Sequence, residues 1–169
     1  MSPAQDLERA YDQHAGSLFA LLLNITRNQS DARDLLQEVF LKLARIPNWS
    51  QGVRDERAFL IRLTANLATD AGRRRATRDQ SHDSMSADRI ELFEPSANPD
   101  EAHFRASLTS ALAELPLEQR TVVHLKLWKG MTFEAIAEAL DIPANTAASR
   151  YRYGLDKLRA ALRPLYEEL

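Results

Sequence analysis

The 169-residue chain has no cysteine, which excludes disulfides, thiolate catalysis and cysteine zinc sites. Its five glycines are scattered, so no glycine-rich loop is available to cradle a phosphate. Four histidines, His14, His82, His103 and His124, show no metal-ligand spacing on any one helix. The longest purely apolar run, Leu18 to Leu23, is six residues, far short of a membrane span. The N-terminus lacks a basic stretch followed by an apolar one, so no secretory signal is expected. Carboxylates are plentiful, yet none has the apolar context that would shift it into an acid or base role. Catalysis is a poor reading of this chain. Net charge is also nearly absent: 22 basic against 24 acidic side chains leave −2, which at first sight argues against nucleic acid. The remaining composition, 44% hydrophobic and 27% charged, is that of a soluble globular protein of one compact domain or two small ones.

Charge read by segment reverses the first impression. Residues 54–78 carry seven basic and three acidic side chains, with Arg73, Arg74, Arg75 and Arg78 at the end. Residues 79–103 carry one basic and seven acidic, with Ser, Asn, Pro and few large apolar groups. Such a composition buries too little apolar area to offset its ordering entropy. It is therefore expected to be a flexible acidic tether between two separate helical domains, 1–78 and 104–169. Within the second, Asn145–Arg163 alone holds five basic residues against one acidic. A solvated charge run is the competing reading for Arg73–Arg78.

Apolar residues recur at helical spacing throughout, and the fold class is all-α. Ser2-Pro3-Ala4-Gln5 reads as a capping box opening a first helix that ends near Arg27. Ser30 is the expected next N-cap, and Leu35, Leu36, Val39, Phe40 and Leu43 stripe a second helix stopping near Pro47. Leu60, Leu63, Leu67 and Ala71 stripe a third helix, whose opposite face carries Arg62, Asn66, Thr69 and Arg73. Gly72 within it costs about 1 kcal/mol relative to alanine and marks either a bend or a close approach. Phe104, Leu108, Leu112 and Leu115 open the second block, ending at Pro116. A helix through Val122, Val123, Leu127 and Trp128 follows and closes at Gly130.

The strongest local signal is Phe133–Tyr153. A short helix capped by Thr132 meets the turn Asp141-Ile142-Pro143-Ala144, then a long helix from about Asn145 to Arg163. This is helix-turn-helix spacing: small Ala137 lets the helices approach while Ile142 and Ala147 plug the corner. Asp141 stands where glycine is usual and must take left-handed geometry, which aspartate tolerates. The outer face of the long helix offers Asn145, Thr146, Ser149, Arg150, Arg152 and Tyr153, side chains suited to base edges and phosphates. A helical hairpin with a solvated outer face is the alternative.

The stretch ALAELPLEQRTVVHLKLWKGMTFEAIAEALDIPANTAASRYRYGLDKL closely resembles the fourth conserved region of bacterial sigma factors. SDARDLLQEVFLKLAR and RAFLIRLTANLATDAGRRR resemble the second. Two regions in this order on a short linker resemble the extracytoplasmic-function class, covering roughly 7–78 and 104–163. The resemblance implies a non-enzymatic cytoplasmic subunit, without metal or cofactor, whose partners are core RNA polymerase and promoter DNA. Many relatives are also held inactive by an anti-sigma protein, which nothing in this sequence identifies. By the same resemblance, Asp34, Gln37, Glu38, Leu41 and Lys42 are polymerase contacts, while Leu35, Leu36, Val39, Phe40 and Leu43 are mostly core. Arg33 stands where relatives often have an acid. Arg62, Asn66, Thr69, Arg73, Arg74, Arg75 and Arg78 face the melted −10 strand, which needs a cationic groove for flipped bases. Trp49, in a loop like the one that pockets an unstacked base, can stack on a base or pack at the helix junction; packing is favoured. Asn145, Thr146, Ser149, Arg150, Arg152 and Tyr153 face the −35 groove. Many relatives carry basic residues in place of Ala148 and Tyr153, which implies a different −35 preference or more reliance on Arg152. The rival readings are a helix-turn-helix regulator acting without polymerase and a helical adaptor with solvated basic faces.

Overall fold

A computed structural model describes the backbone of residues 2–78 and 97–167, and the side chains of 2–74 and 97–165. Its elements are α1 (Pro3–Thr26), α2 (Gln29–Ala44), α3 (Glu56–Arg78), α4 (Pro99–Glu114), α5 (Leu117–Leu127), α6 (Phe133–Leu140) and α7 (Ala144–Glu167). Among the described residues there is no strand. Most of the expected tether, residues 79–96, lies outside them. Its last part does not remain a tether: Asn98 caps α4 through Asp100 N, and the helix starts five residues before Phe104.

The helix ends follow from local chemistry. Ser2 and Gln5 form the reciprocal capping box, 3.2 and 2.9 Å. Arg27 takes left-handed geometry (φ 58°) and closes α1 by donating its N–H to Leu23 O. The next N-cap is Asn28 rather than Ser30: its side chain accepts from Asp31 N at 3.0 Å, a cap worth about 1 kcal/mol. The expected cap was two residues late because Asn28 can both leave one helix and start the next. In the loop before α3, Trp49 is buried and stacks on Phe59 at 6.5 Å and 7°, the packing alternative. Arg9 holds the first turn of α3 to α1 with a forked pair to Glu56, 3.0 and 3.1 Å. Thr132 caps α6, and Asp141 takes the left-handed corner (φ 56°) that the helix-turn-helix spacing requires.

Tertiary packing departs most from the sequence reading at the middle of the molecule. Five consecutive residues of α1, Leu21–Ile25, are buried, and so are six of α5, Arg120–Leu125. A helix covered on one side exposes part of any such stretch. These two are covered all round because α1 packs on α2, α3 and α5, and α5 packs on α1, α6 and α7. Leu22, Leu60, Val122, Leu125 and Ile136 thus belong to one core that runs through both blocks. A smaller cluster of Ala111, Leu112, Leu115, Val123 and Leu158 joins α4, α5 and α7. Each block forms its own helical unit, and the two units pack against each other along a seam. The same packing explains α3. Its most buried residues are Leu60, Ile61, Thr64, Ala65 and Ala68, whereas Leu63, Leu67 and Ala71 are only half-buried. The expected stripe is displaced because α6 of the second unit covers α3 as well. Gly72 marks a close approach, since a Cβ there would stand 3.0 Å from Leu117 Cδ2.

Candidate polymerase- and nucleic-acid-binding surfaces

On α2 the apolar and polar sets separate cleanly. Leu35, Val39, Phe40 and Leu43 are buried and Leu36 is half-buried. Asp34, Gln37, Glu38, Leu41 and Lys42 are all exposed and, at steps of three and four, lie along one face. Leu41 is 54% exposed, so that face carries an apolar group in the midst of charge. Tyr11, also half exposed, meets Phe40 edge to face at 5.0 Å and extends the surface onto α1. Arg33 is exposed beside it.

A second polar surface lies on α3. Arg62, Asn66, Arg73 and Arg74 are exposed, and Thr69 is half-buried. The Arg75 and Arg78 side chains lie outside the described residues. On α7, Ala147 is buried and Tyr151 packs edge to face on Phe133 of α6 at 5.5 Å, which fixes the rotation of the helix. Asn145, Arg152 and Tyr153 are then exposed, and Thr146, Ser149 and Arg150 half-buried on the same side. The Arg152 guanidinium lies 5.7 Å from the Tyr153 ring centroid, a cation–π contact that leaves the cation at the surface. Both faces offer hydrogen-bond donors and positive charge without apolar cover.

The residues that sequence reasoning did not find are those of the seam. Arg120 of α5 is buried and donates to Ile25 O of α1 at 2.6 Å, and to Leu115 O and Ala113 O of its own unit at 3.2 and 3.3 Å. Arg27 donates to Thr109 O at 3.2 Å. At the far end Arg57 donates to Lys129 O at 2.8 Å, and Lys129 donates to Ser17 O at 3.0 Å and to Ser17 Oγ. In the centre Asn24 Nδ2 lies 2.9 Å from His124 Nδ1, both side chains buried. An amide nitrogen only donates, so Nδ1 accepts and the imidazole is neutral.

Electrostatically the seam is crowded with cations. Burial, then Arg27, lowers the Arg120 pKa to about 10. Burial also lowers that of Arg27, and burial with Arg57 lowers that of Lys129. His124 is pushed down to about 3 by burial and then by Lys129. Every acceptor named above is a carbonyl, hydroxyl or imidazole and none a carboxylate. No periodicity rule reports such contacts, because each depends on two helices far apart in the sequence. Among the described residues no cluster of His, Cys, Asp or Glu is placed to hold a metal.

Two family models match the chain: Sigma-70 region 2 over residues 10–78 and Sigma-70 region 4 over residues 105–158. These correspond to the α1–α3 unit and most of the α4–α7 unit. Among curated proteins, ECF RNA polymerase sigma factor SigL of Mycobacterium tuberculosis is 31% identical over 159 residues, 92% of this chain and 88% of that protein. RNA polymerase sigma factor CarQ of Myxococcus xanthus is 33% identical over 171 residues, 98% and 95% of the two chains. ECF RNA polymerase sigma factor SigE of Mycolicibacterium smegmatis is 33% identical over 152 residues, and the chain spans 58% of its length. In fold the chain is similar to the sigma factor RpoE of Bartonella quintana, solved with the anti-sigma factor NepR. The TM-score is 0.72 at 20% identity, over 94% of this chain and 98% of that one. The chain belongs to the ECF RNA polymerase sigma factors.

Proposed function

We propose that this chain is a cytoplasmic promoter-specificity subunit of RNA polymerase with no catalytic activity of its own. The observation that carries the reading is the separation of three exposed polar faces on α2, α3 and α7, at the positions the family resemblance assigns to polymerase, −10 strand and −35 duplex. Residues 1–78 would bind core polymerase through Asp34, Gln37, Glu38, Leu41 and Lys42. The same unit would hold the opened −10 strand on Arg62, Asn66, Thr69, Arg73 and Arg74, with Arg75 and Arg78 adding phosphate attraction. Residues 104–169, with α4 reaching back to Pro99, would read the −35 groove through Asn145, Thr146, Ser149, Arg150, Arg152 and Tyr153. Residues 79–98 would connect the two.

The shared core adds a mechanical condition. A packed chain of this length is on the order of 40 Å across. The two promoter elements are about 25 base pairs apart, roughly 85 Å of duplex. The closed arrangement therefore serves one element at a time, and the seam must open for both to be read. Core polymerase, binding the two units at separate places, would supply the free energy. An anti-sigma partner, of the kind with which RpoE is solved, would find in the seam a state to favour or to open.

The test is run-off transcription with purified core polymerase on genomic fragments, with gel filtration of the sigma–core mixture. A defined set of start sites and a co-eluting complex are expected. Absence of the complex would sink the reading, and tight duplex binding by the free chain would favour a helix-turn-helix regulator instead.

A further inference from the structure

A cavity of about 350 Å³ opens in the seam, walled by Ile25 of α1, Leu35 of α2, Ala68 and Ala71 of α3, and Leu117 and Arg120 of α5. That volume is within the range of small-molecule sites, which occur preferentially at domain interfaces with apolar walls and few polar groups. The space exists because α3 presents alanines and Gly72 to it. Arg120 is the second sign of a ligand. It is only 8% exposed, its three acceptors are backbone carbonyls, and Nε has none. The charge acting on it most strongly is another cation, Arg27. A buried cation without an anionic partner is costly, and a carboxylate is the group that offsets it best. Asp31 and Asp34 also line the cavity and, with Arg27 and Arg120, bring its formal charge to about zero, so an acid must be held by direct hydrogen bonds to the Arg120 guanidinium and not by a net positive field.

We propose that this cavity binds a small apolar monocarboxylic acid, aromatic or branched aliphatic, with its body on the apolar wall and its carboxylate at Arg120. Because the walls come from both units, only the closed arrangement contains the site. The acid therefore holds the seam shut by linkage, and on the sigma-factor reading that makes it an inhibitor of initiation.

The experiment is calorimetric titration of the full chain with 3-phenylpropionate and, separately, with the neutral 3-phenylpropanamide. The acid is expected to bind one to one, roughly tenfold or more tighter than the amide. Ala71→Leu, which fills the cavity, is expected to abolish binding, and Leu117→Phe serves the same purpose if that variant does not fold. Arg120→Met should remove the preference for acid over amide. No binding of the acid at millimolar concentration, or undiminished binding by a folded cavity-filled variant, overturns the site. Equal binding of acid and amide overturns the ligand class. Transcription without the acid is scored separately. If the chain initiates but does not bind the acid, this inference alone fails; if it binds the acid but never initiates, the sigma reading fails and the site stands.

Discussion

Arg152 and Tyr153 are exposed on α7 and touch each other, so neither depends on the core for its position. Arg152→Ala is expected to reduce transcription from −35-dependent promoters by roughly tenfold, the lower end of one base contact. Co-elution with core polymerase should be unchanged; an equal fall in core binding would show that α7 is not the reading helix. His124 behaves oppositely, because the fold sets its chemistry. With a folded pKa near 3 against 6.5 in the open chain, it takes up a proton only when it is uncovered. Its contribution is complete above about pH 6.5 and is lost as pH falls towards 3, with about 2 kcal/mol gone by pH 5. Thermal unfolding followed between pH 7 and 4.5 should show this decline, and His124→Gln should flatten it. The groups facing the ring are Asn24, the stacked Trp128 at 5.5 Å, and Lys129.

At the scale of the element, α5 and α7 meet at Gly154. A Cβ there would come within 2.8 Å of Val123 Cγ2, and Val123 is fully buried. Gly154→Ala should cost about 1–3 kcal/mol in urea unfolding even though alanine is the better helix former. A stabilised variant would mean that the two helices are not held at this separation. The exposed face of α2 supports a converse expectation. Glu38→Lys reverses a surface charge with no buried partner, so stability should change by less than about 0.5 kcal/mol, while retention on core polymerase falls. Helix identity, the capping box, the Thr132 cap and the left-handed Asp141 were all legible from residue type, since each is a contact within four residues. The rotation of α3 was not, because its apolar stripe is only one of two surfaces that become covered.

For the whole molecule, the seam predicts a chain that is compact when free and extended when bound. Small-angle scattering of the free protein should give a radius of gyration of about 15–16 Å. Arg120→Ala removes the donor to Ile25 O and should increase it, most clearly in combination with Lys129→Ala at the other end of the seam. An unchanged radius in the double variant would show that the apolar core alone keeps the units together. The cations gathered along the seam repel one another, which makes the closed form easier to open than an apolar interface of the same extent.

Sequence by itself determined the helices, the helix-turn-helix corner and the outward faces of α2 and α7. These rest on periodicity, capping and charge, which are properties of neighbouring residues. The near-zero net charge likewise resolves, from sequence alone, into an acidic segment and two cationic ones. Only the tertiary structure decided that the two units share a core, that Arg120 and His124 are buried, and that a cavity lies between α3 and α5. Those outcomes come from pairs such as Asn24 with His124 and Ile25 with Arg120, about a hundred residues apart, and contact across that distance leaves no local pattern in the chain.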